Sequence, residues 1–202
     1  MLTIALPKGR IADETLDRFE KAFGEKFVFE DRKLILEKSG FKFLNVRNQD
    51  VATYVMHGAA DLGVVGLDVL EEKEYDLIKL LDLKLGRCKV AFGLRAGEKL
   101  NFDKSKITIA TKHEKIDKKY FEQKAMAVEI IKLYGSIELA PLVGLCDCIV
   151  DIVETGETMK QNGLEVGPTI METTAHLIAN KNSFYAKKDL IFDLKDKLEK
   201  FL

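Results

Sequence analysis

Short apolar runs alternate with amphipathic segments along most of the chain. The runs at 2–6 and 41–46 have the length of buried strands, and the segments at 11–23 and 50–58 place apolar residues at helical spacing. The same alternation restarts at residue 106 and continues to residue 153. Strands that alternate with helices predict crossover units and a largely parallel sheet.

Two joints in the chain repeat one spacing of glycine and aspartate. Gly58 precedes Asp61 and Gly144 precedes Asp147, each between a helix-like segment and a strand-like run. Glycine supplies the left-handed residue that ends a helix, and aspartate suits the turn into the next strand. Chance recurrence of a common joint is the alternative. The matched order of the flanking elements favours two similar α/β lobes.

The predicted lobes are not both continuous in sequence. Lobe one comprises residues 1–88 plus about 176–202, and lobe two comprises residues 89–175, with the glycine-containing segment 85–99 as the link. The last segment is predicted to form a helix that packs back on lobe one. Its apolar residues at helical spacing are Leu190, Ile191, Leu194, Leu198 and Leu202. A cleft between the lobes is the expected ligand site.

The charge balance excludes any general attraction to polyanions. Among 202 residues, Lys and Arg number 32 and Asp and Glu number 33, which leaves a net charge of -1. We therefore expect no binding to nucleic acid or to an anionic membrane, and any anion site must be local. The first residues lack the apolar core of a secretion signal, and no run approaches the ~18 apolar residues of a spanning helix. These features predict a cytoplasmic protein.

The three cysteines, Cys88, Cys146 and Cys148, do not indicate a disulfide framework, because their number is odd. The Cys-Asp-Cys sequence at 146–148 could be a metal or redox pair. It lies at a strand entrance among small apolar residues, however, and no histidine-rich motif is nearby. A structural role is the favoured interpretation.

The stretch "IVDIVETGETMKQNG" at 149–163 combines acidic residues with a glycine turn at the end of the last strand-like run of lobe two. Strand ends in open α/β sheets face the ligand crevice, and a glycine with flanking threonines can hold a phosphate at the start of a helix. Asp151 and Glu154 suit vicinal sugar hydroxyls, which donate hydrogen bonds to carboxylates. The pattern predicts a ribose 5-phosphate site, although Thr-Gly turns between a strand and a helix are common.

A second anion signal lies near the start of the chain. Lys8 and Arg10 flank Gly9 between a strand and a helix, where a polyphosphate could meet both side chains. A solvated basic turn is the equally weighted alternative.

Two more arginines are candidates for anion binding. Arg32 is predicted to begin a strand, and Arg47 is predicted to end one. Capping of the following helix is sufficient to explain Asn48 or Asp50.

Several of these stretches together resemble the ATP phosphoribosyltransferase family, the first enzyme of histidine biosynthesis. The matching stretches are "ALPKGR", "VRNQDVATYVMHGAADLGVVGLDVL", "IATK" and a long, specific stretch over 132–164. The resemblance covers nearly the whole chain and indicates the short form, which lacks an added regulatory domain. It implies an α/β fold of two similar lobes with mixed, mainly parallel sheets and a central cleft, of the periplasmic-binding-protein-like type II.

The resemblance also implies the reaction and its cofactor. Family members join N1 of the ATP adenine to C1 of phosphoribosyl pyrophosphate and release pyrophosphate. The cofactor would be Mg²⁺, held mainly by substrate phosphates rather than by a protein metal site.

The resemblance assigns roles to the candidate residues. Lys8, Arg10 and Arg32 are the predicted catalytic cations on pyrophosphate or triphosphate. The predicted substrate-binding residues are Asp151 and Glu154 on the ribose, Thr155, Gly156, Glu157 and Thr158 on the 5-phosphate, and Gly9, Arg47 and Glu138. No general base is assigned, because adenine N1 has a free lone pair. His57, His113 and His176 are expected to be structural or exposed to solvent.

The implied partners are those of the short form. They are the two substrates, a second copy of the chain in a dimer, and a regulatory subunit that resembles histidyl-tRNA synthetase in a hetero-octamer.

Three other functions share parts of the pattern. A solute-binding protein and the effector lobes of a transcription regulator would have the same two lobes. The sequence lacks a secretion signal, which argues against the first, and a helix-turn-helix segment, which argues against the second. Another phosphoribosyltransferase is the nearer alternative, because Thr-Gly-x-Thr can hold ribose phosphate for many bases.

Overall fold

The chain divides into two compact units. The computed structural model describes residues 1–101, 104 and 106–202. Unit 1 comprises Met1–Gly86 with Thr174–Leu202, and unit 2 comprises Arg87–Thr173. The unit boundaries at 86 and 173 differ by two residues from the predicted lobe boundaries at 88 and 175.

The described residues form strands and helices in alternation. The strands are β1 Leu2–Pro7, β2 Ile35–Lys38, β3 Phe41–Val46, β4 Leu62–Gly66, β5 Ile78–Arg95, β6 Ile107–Thr111, β7 Val128–Lys132, β8 Cys148–Val153 and β9 Leu164–Ala179. The helices are α1 Arg10–Phe23, α2 Asn48–Met56, α3 Leu67–Lys73, α4 Glu114–Gln123, α5 Leu139–Leu142, α6 Glu157–Gln161, α7 Lys181–Ala186 and α8 Lys188–Glu199.

Unit 1 is a mixed sheet between two layers of helices. Its strand order is β2-β3-β1-β4-β9, in which β1 is parallel to β3 and β4, whereas β2 and β9 are antiparallel to their neighbours. One face packs against α1 and α8, and the other packs against α2 and α3. As predicted, α8 belongs to this core through Ile191, Leu194 and Leu198. Leu190 and Leu202, which were expected to join them, are exposed.

Unit 2 repeats this arrangement. Its order is β5-β8-β6-β7, in which β6 is parallel to β7 and β8, whereas β5 is antiparallel to β8. One face carries α4, and the other carries α5 and α6. The central strand β6 thus corresponds to β1, β7 to β3, β8 to β4 and β5 to β9. The predicted similarity of the two lobes is confirmed by these pairings.

The repeated glycine and aspartate perform the same task in both units. Gly58 and Gly144 have φ values of 71° and 74°. The amides of Asp61 and Asp147 donate to the carbonyls of Thr3 and Thr108 at 2.8 and 2.9 Å.

The two carboxylates complete this joint. In each unit the Asp Oδ2 accepts from the amide of the same threonine at 2.9 Å. A lysine pairs with each carboxylate at 2.7 Å, Lys187 with Asp61 and Lys104 with Asp147. We call these two contacts the aspartate clamps. Each clamp joins the start of the central strand to the strand beside it.

The sequence analysis was wrong about the segment between the lobes. Residues 85–95 of the predicted link belong to β5, an 18-residue strand, and only the remainder is a turn and loop. The 16-residue strand β9 and the short helix α7 were not predicted. Both long strands begin in one unit and end in the other, so their burial patterns lack a single regular alternation.

Within the described ranges, which omit 102, 103 and 105, no helix combines the length and the apolar character needed to cross a membrane.

The clamps predict unequal losses of stability. The Asp61 side chain is 10% exposed and the Asp147 side chain is 26% exposed. Loss of hydrogen bonds to a charged group costs about 1.5–3 kcal/mol in a buried setting. We expect Asp61→Asn to lower the free energy of unfolding at neutral pH by about that amount, and the control Asp147→Asn to lower it less. Urea titration of both variants measures the difference, and equal losses would contradict the ranking.

The Asp61 effect is also expected to depend on pH. Burial opposes ionisation, but hydrogen bonds from Lys187, Thr3 and Ser183 outweigh it and lower the pKa of Asp61. Its stabilisation is therefore complete above the unfolded-state pKa and is lost as pH falls through the folded-state pKa. The difference in the free energy of unfolding between the wild type and Asp61→Asn should decrease below about pH 4. A difference that stays constant in acid would show that it does not come from the ionised carboxylate of Asp61.

Candidate functional site

A group of acidic residues lies at the carboxyl end of β8 in unit 2. Asp151 lies within the strand and is buried, with 9% of its surface exposed. Glu154 follows the strand and is exposed. The helix predicted after the glycine turn is α6, whose Met159 packs in the core of the same sheet face. The residues predicted to hold a ribose 5-phosphate therefore occupy the end of β8, the turn after it and the start of α6.

The turn depends on glycine at position 156. Gly156 has φ 84°, and a Cβ there would lie 2.9 Å from Cγ2 of Val166. The amide of Glu157 donates to Thr155 Oγ1 at 3.3 Å, which stabilises the turn before the helix. Amides in the first turn of a helix have no acceptor within that helix. The turn therefore offers backbone donors beside the exposed hydroxyls of Thr155 and Thr158.

The sequence analysis missed Lys112, the residue that follows β6. Its Nζ lies 2.6 Å from Oδ1 of Asp151. The β6–β8 register pairs Thr111 with Val150, which brings the next residue of each strand together at the carboxyl edge. The signal was present in "IATK", but only the strand pairing identifies Asp151 as its partner.

Glu138 belongs to the same unit but lies on another element. It precedes α5 and is half-buried. Ala140 of α5 packs with Ile149 of β8 in the sheet face that also carries α6. The structure thus places Glu138 on the same face as the turn after β8.

A separate group of basic residues lies at the carboxyl edge of the unit 1 sheet. Gly9, with φ 96°, separates β1 from α1, and a Cβ there would meet no atom within 4 Å. The amide of Lys8 donates to the carbonyl of Val46 at 2.8 Å, which joins the ends of β1 and β3. Arg10 is the first residue of α1 and pairs with Glu14 at 3.5 Å, with 53% of its side chain exposed. The three residues of the predicted anion turn are exposed.

Arg32 and Arg47 join this edge from the neighbouring strands. Arg32 was predicted to begin a strand, but it lies in a turn ahead of β2, which starts at Ile35. The amide of Asn45 donates to the carbonyl of Leu34 at 2.8 Å, so the turn lies beside the end of β3. Arg47 follows β3, as predicted, and both arginines are exposed.

The expected side-chain cap of α2 is absent. Arg47 occupies the N-cap position, and among the described residues no side chain makes a capping hydrogen bond there. Oδ1 of Asn48 is buried and accepts no hydrogen bond from the part of the chain that the structure describes. Capping therefore does not explain Asn48 or Asp50.

The thiols and the imidazoles do not form a centre. Cys146 and Cys148 are buried at the start of β8, and burial raises the pKa of both thiols. Of the histidines, His57 is exposed, His113 is buried, and Nδ1 of His176 lies 3.1 Å from the carbonyl of Thr174. Among the described residues no three His, Cys, Asp or Glu side chains gather as a metal site would need.

The conformation of Gly156 predicts a large effect of a single methyl group. Alanine in the left-handed region costs about 1 kcal/mol, and overpacking against the stiff Val166 side chain adds about 1–3 kcal/mol. We expect Gly156→Ala to lower the free energy of unfolding by about 2–4 kcal/mol, measured by urea titration.

Gly144→Ala is the matched control, because Gly144 has a similar φ of 74° and open space around its Cβ. It should lose only about 1 kcal/mol. Equal losses in the two variants would show that the contact with Val166 relaxes freely.

The chain matches known proteins over its whole length. The family model described as "HisG: ATP phosphoribosyltransferase" matches residues 47–200. An ATP phosphoribosyltransferase of Wolinella succinogenes is 66% identical over 200 residues, which are 99% of this chain and 97% of that protein. An ATP phosphoribosyltransferase of Helicobacter hepaticus is 58% identical over 202 residues, 100% of this chain and 98% of that protein.

Solved structures agree with these relatives. The structure of an ATP phosphoribosyl transferase (HisG:HisZ) complex from Thermotoga maritima contains a chain with a TM-score of 0.85 and 36% identity, over 99% of this chain and 98% of that one. The substrate binding protein of an amino acid ABC transporter has a TM-score of 0.62 over 98% of this chain and 91% of that chain, at 13% identity, and shows the shared fold alone. The predicted periplasmic-binding-protein-like fold is thereby confirmed. The chain belongs to the ATP phosphoribosyltransferase (HisG) family, the glycosyltransferases that carry out the first step of histidine biosynthesis.

Proposed function

We propose that unit 2 holds the phosphoribosyl group while this chain transfers it from phosphoribosyl pyrophosphate to N1 of the ATP adenine, with release of pyrophosphate. The observation that carries the proposal is the turn between β8 and α6. It joins a buried aspartate, a left-handed glycine and two exposed threonine hydroxyls at one strand end. Sugar hydroxyls and a phosphate require this combination of acceptors and donors.

In the proposed complex the ribose contacts the carboxylates of unit 2. Asp151 and Glu154 accept hydrogen bonds from the ribose hydroxyls, because an ionised carboxylate only accepts. The two acidic residues also favour the positive charge that develops on the sugar ring as the bond to pyrophosphate breaks.

The 5-phosphate lies on the turn. Amides near Gly156 and the hydroxyls of Thr155 and Thr158 donate to its oxygens, and Gly156 lets the backbone come close. Glu157 is the first residue of α6, and its side chain is exposed. It takes part in phosphate binding through its backbone amide. Glu138 completes the proposed substrate-binding set of unit 2 from α5.

The exposed cations of unit 1 are proposed to act on the polyphosphates. Lys8, Arg10 and Arg32 would stabilise the negative charge that grows on the leaving pyrophosphate. Gly9 and Arg47 lie beside them and would bind the same phosphates. Proton abstraction from the acceptor is not needed, because N1 of adenine attacks with its own lone pair.

Mg²⁺ fits the chain as an ion carried by the substrate. Proteins hold Mg²⁺ through one or two carboxylates together with substrate phosphates. Glu154 and Glu157 present exposed carboxylates beside the proposed phosphate site, and within the described residues no larger ligand cluster exists. When bound, the ion would neutralise charge on the pyrophosphate. The substrates are metabolites of the cytoplasm, and we assign the enzyme to that compartment.

The proposal predicts both a product and a dependence on two hydroxyls. Incubation with ATP, phosphoribosyl pyrophosphate and Mg²⁺ should give an adduct with an altered adenine absorption band and an equal amount of pyrophosphate. The double substitution Thr155→Val and Thr158→Val keeps the shape and removes the donors. It should weaken binding of phosphoribosyl pyrophosphate by about 1–3 kcal/mol per lost hydrogen bond, measured by calorimetry.

Thr108→Val is the control, because Thr108 lies at the opposite, amino end of β6 in the same unit. It should bind phosphoribosyl pyrophosphate as the wild type does. Unchanged affinity in the folded double variant would overturn the phosphate assignment. Absence of the adduct with the wild-type chain would contradict the proposed transfer itself.

We further propose that the chain forms a dimer and works with a regulatory subunit resembling histidyl-tRNA synthetase, in a hetero-octamer. The similar chain from Thermotoga maritima was solved in a HisG:HisZ complex, which supports a partner of this kind. Feedback regulation needs a second site whose ligand contacts differ between two states. In the proposed complex the regulatory subunit supplies that site.

This arrangement predicts that histidine acts only through the partner. The purified chain should be a dimer in light scattering, should have some activity, and should respond weakly or not at all to histidine. Addition of the regulatory subunit should enlarge the particle and confer strong inhibition. Strong inhibition of the chain alone by histidine would contradict this division of roles.

A further inference from the structure

We propose that Lys112 is a positioning residue of the phosphoribosyl site, which orients Asp151 and offsets part of its negative charge so that the ribose and its phosphates can bind there. This inference rests on the proposed function of unit 2. It begins from the distance of 2.6 Å between Lys112 Nζ and Asp151 Oδ1.

The pair lies on the face of the sheet where the substrate turn lies. Neighbouring residues of a strand point to opposite faces, so Asp151 shares the face of Ile149 and Val153, and Lys112 shares the face of Ala110. Ile149, Val153 and Ala110 belong to one core cluster, together with Met159 of α6. The ammonium group of Lys112 is thus on the face covered by the helix that follows the proposed phosphate turn.

The pair is partly shielded from solvent. The Asp151 side chain is 13% exposed and the Lys112 side chain is 33% exposed. A charge pair in such a setting is screened less than a surface pair, and removal of one partner leaves the other without compensation. A bare carboxylate here would also repel the phosphates of the substrate.

The geometry of the carboxylate divides its two oxygens between protein and ligand. Oδ1 accepts from the amide of Ile152 at 2.7 Å and from Lys112. Among residues 1–101, 104 and 106–202, these are the polar contacts of Asp151, and both use Oδ1. Oδ2 keeps its lone pairs for a ribose hydroxyl. Lys112 therefore fixes which oxygen faces the protein and which faces the sugar.

The test is the affinity for phosphoribosyl pyrophosphate, measured by calorimetry without ATP, and the KM for each substrate. Lys112→Met should raise the dissociation constant and the KM of phosphoribosyl pyrophosphate by about tenfold to a hundredfold. The KM of ATP should change little. Lys112→Arg keeps the charge and should restore much of the affinity.

A double substitution separates positioning from direct contact with the phosphates. If Lys112 acts through Asp151, adding Lys112→Met to Asp151→Asn should cause little further loss of affinity for phosphoribosyl pyrophosphate, because the effects of the two substitutions are coupled. Losses that multiply in the double variant would overturn the proposal. Lys106→Met is the control, because Lys106 pairs with Glu129 at 2.8 Å beside the amino end of β6 and is 67% exposed. It should leave all constants unchanged.

The outcomes also distinguish this inference from the proposed function. A wild-type chain that does not bind phosphoribosyl pyrophosphate would refute the function of unit 2. A wild-type chain that binds it, with unchanged binding in Lys112→Met, would refute only the role of Lys112. If Lys112→Met fails to fold, Lys112→Gln, which keeps a polar side chain but removes the charge, takes its place: unchanged affinity for phosphoribosyl pyrophosphate in that folded variant would overturn the inference.

Discussion

The aspartate clamps are the contacts on which both units depend. Each clamp joins the second residue of the central strand to the turn that leads into the strand beside it, and each uses a carboxylate that accepts from a threonine amide and a lysine. A shift of one residue in the pairing register of a strand would move each of its side chains to the opposite face of the sheet. By fixing where β1 and β6 begin, the clamps therefore fix which side chains reach the carboxyl edge of each sheet.

The two carboxyl edges carry different charges. In unit 1 this edge carries four exposed cations, Lys8, Arg10, Arg32 and Arg47. In unit 2 the segment from the end of β8 to the start of α6 carries Asp151, Glu154 and Glu157, with Lys112 as the counter-charge. One repeated architecture thus presents an edge that suits polyphosphate and another that suits sugar hydroxyls. The fold supplies the positions, and local substitutions supply the chemistry.

The elements that the sequence predicts well are those whose signals are local. Helix α1 begins one residue before the predicted segment 11–23 and ends with it, and the Gly-x-x-Asp joints occur where their spacing indicated. The turn at 154–158 was also recognisable, because its glycine, threonines and acids are contiguous.

The features that escaped prediction depend on the tertiary structure. Strand β5 contains glycines and charged residues in a pattern typical of a linker, because its two halves face different surroundings. The partnership of Lys112 and Asp151 follows from the pairing of β6 with β8, and the two residues are far apart in the chain. The turn that carries Arg32 is set by the pairing of β2 with β3, which the local sequence does not specify.

The division of the chain into two units has a consequence for its folding during translation. Unit 2 is a continuous segment, Arg87–Thr173, whereas unit 1 needs Thr174–Leu202 to complete it. During translation, β1, β3 and β4 are made before unit 2, but the end of β9 and α8, which share their core, are made after it. The nascent chain can therefore finish folding its second unit while the first still has an open strand edge, which is the kind of surface that invites mispairing. Unit 1 is thus completed by a segment that is translated after unit 2.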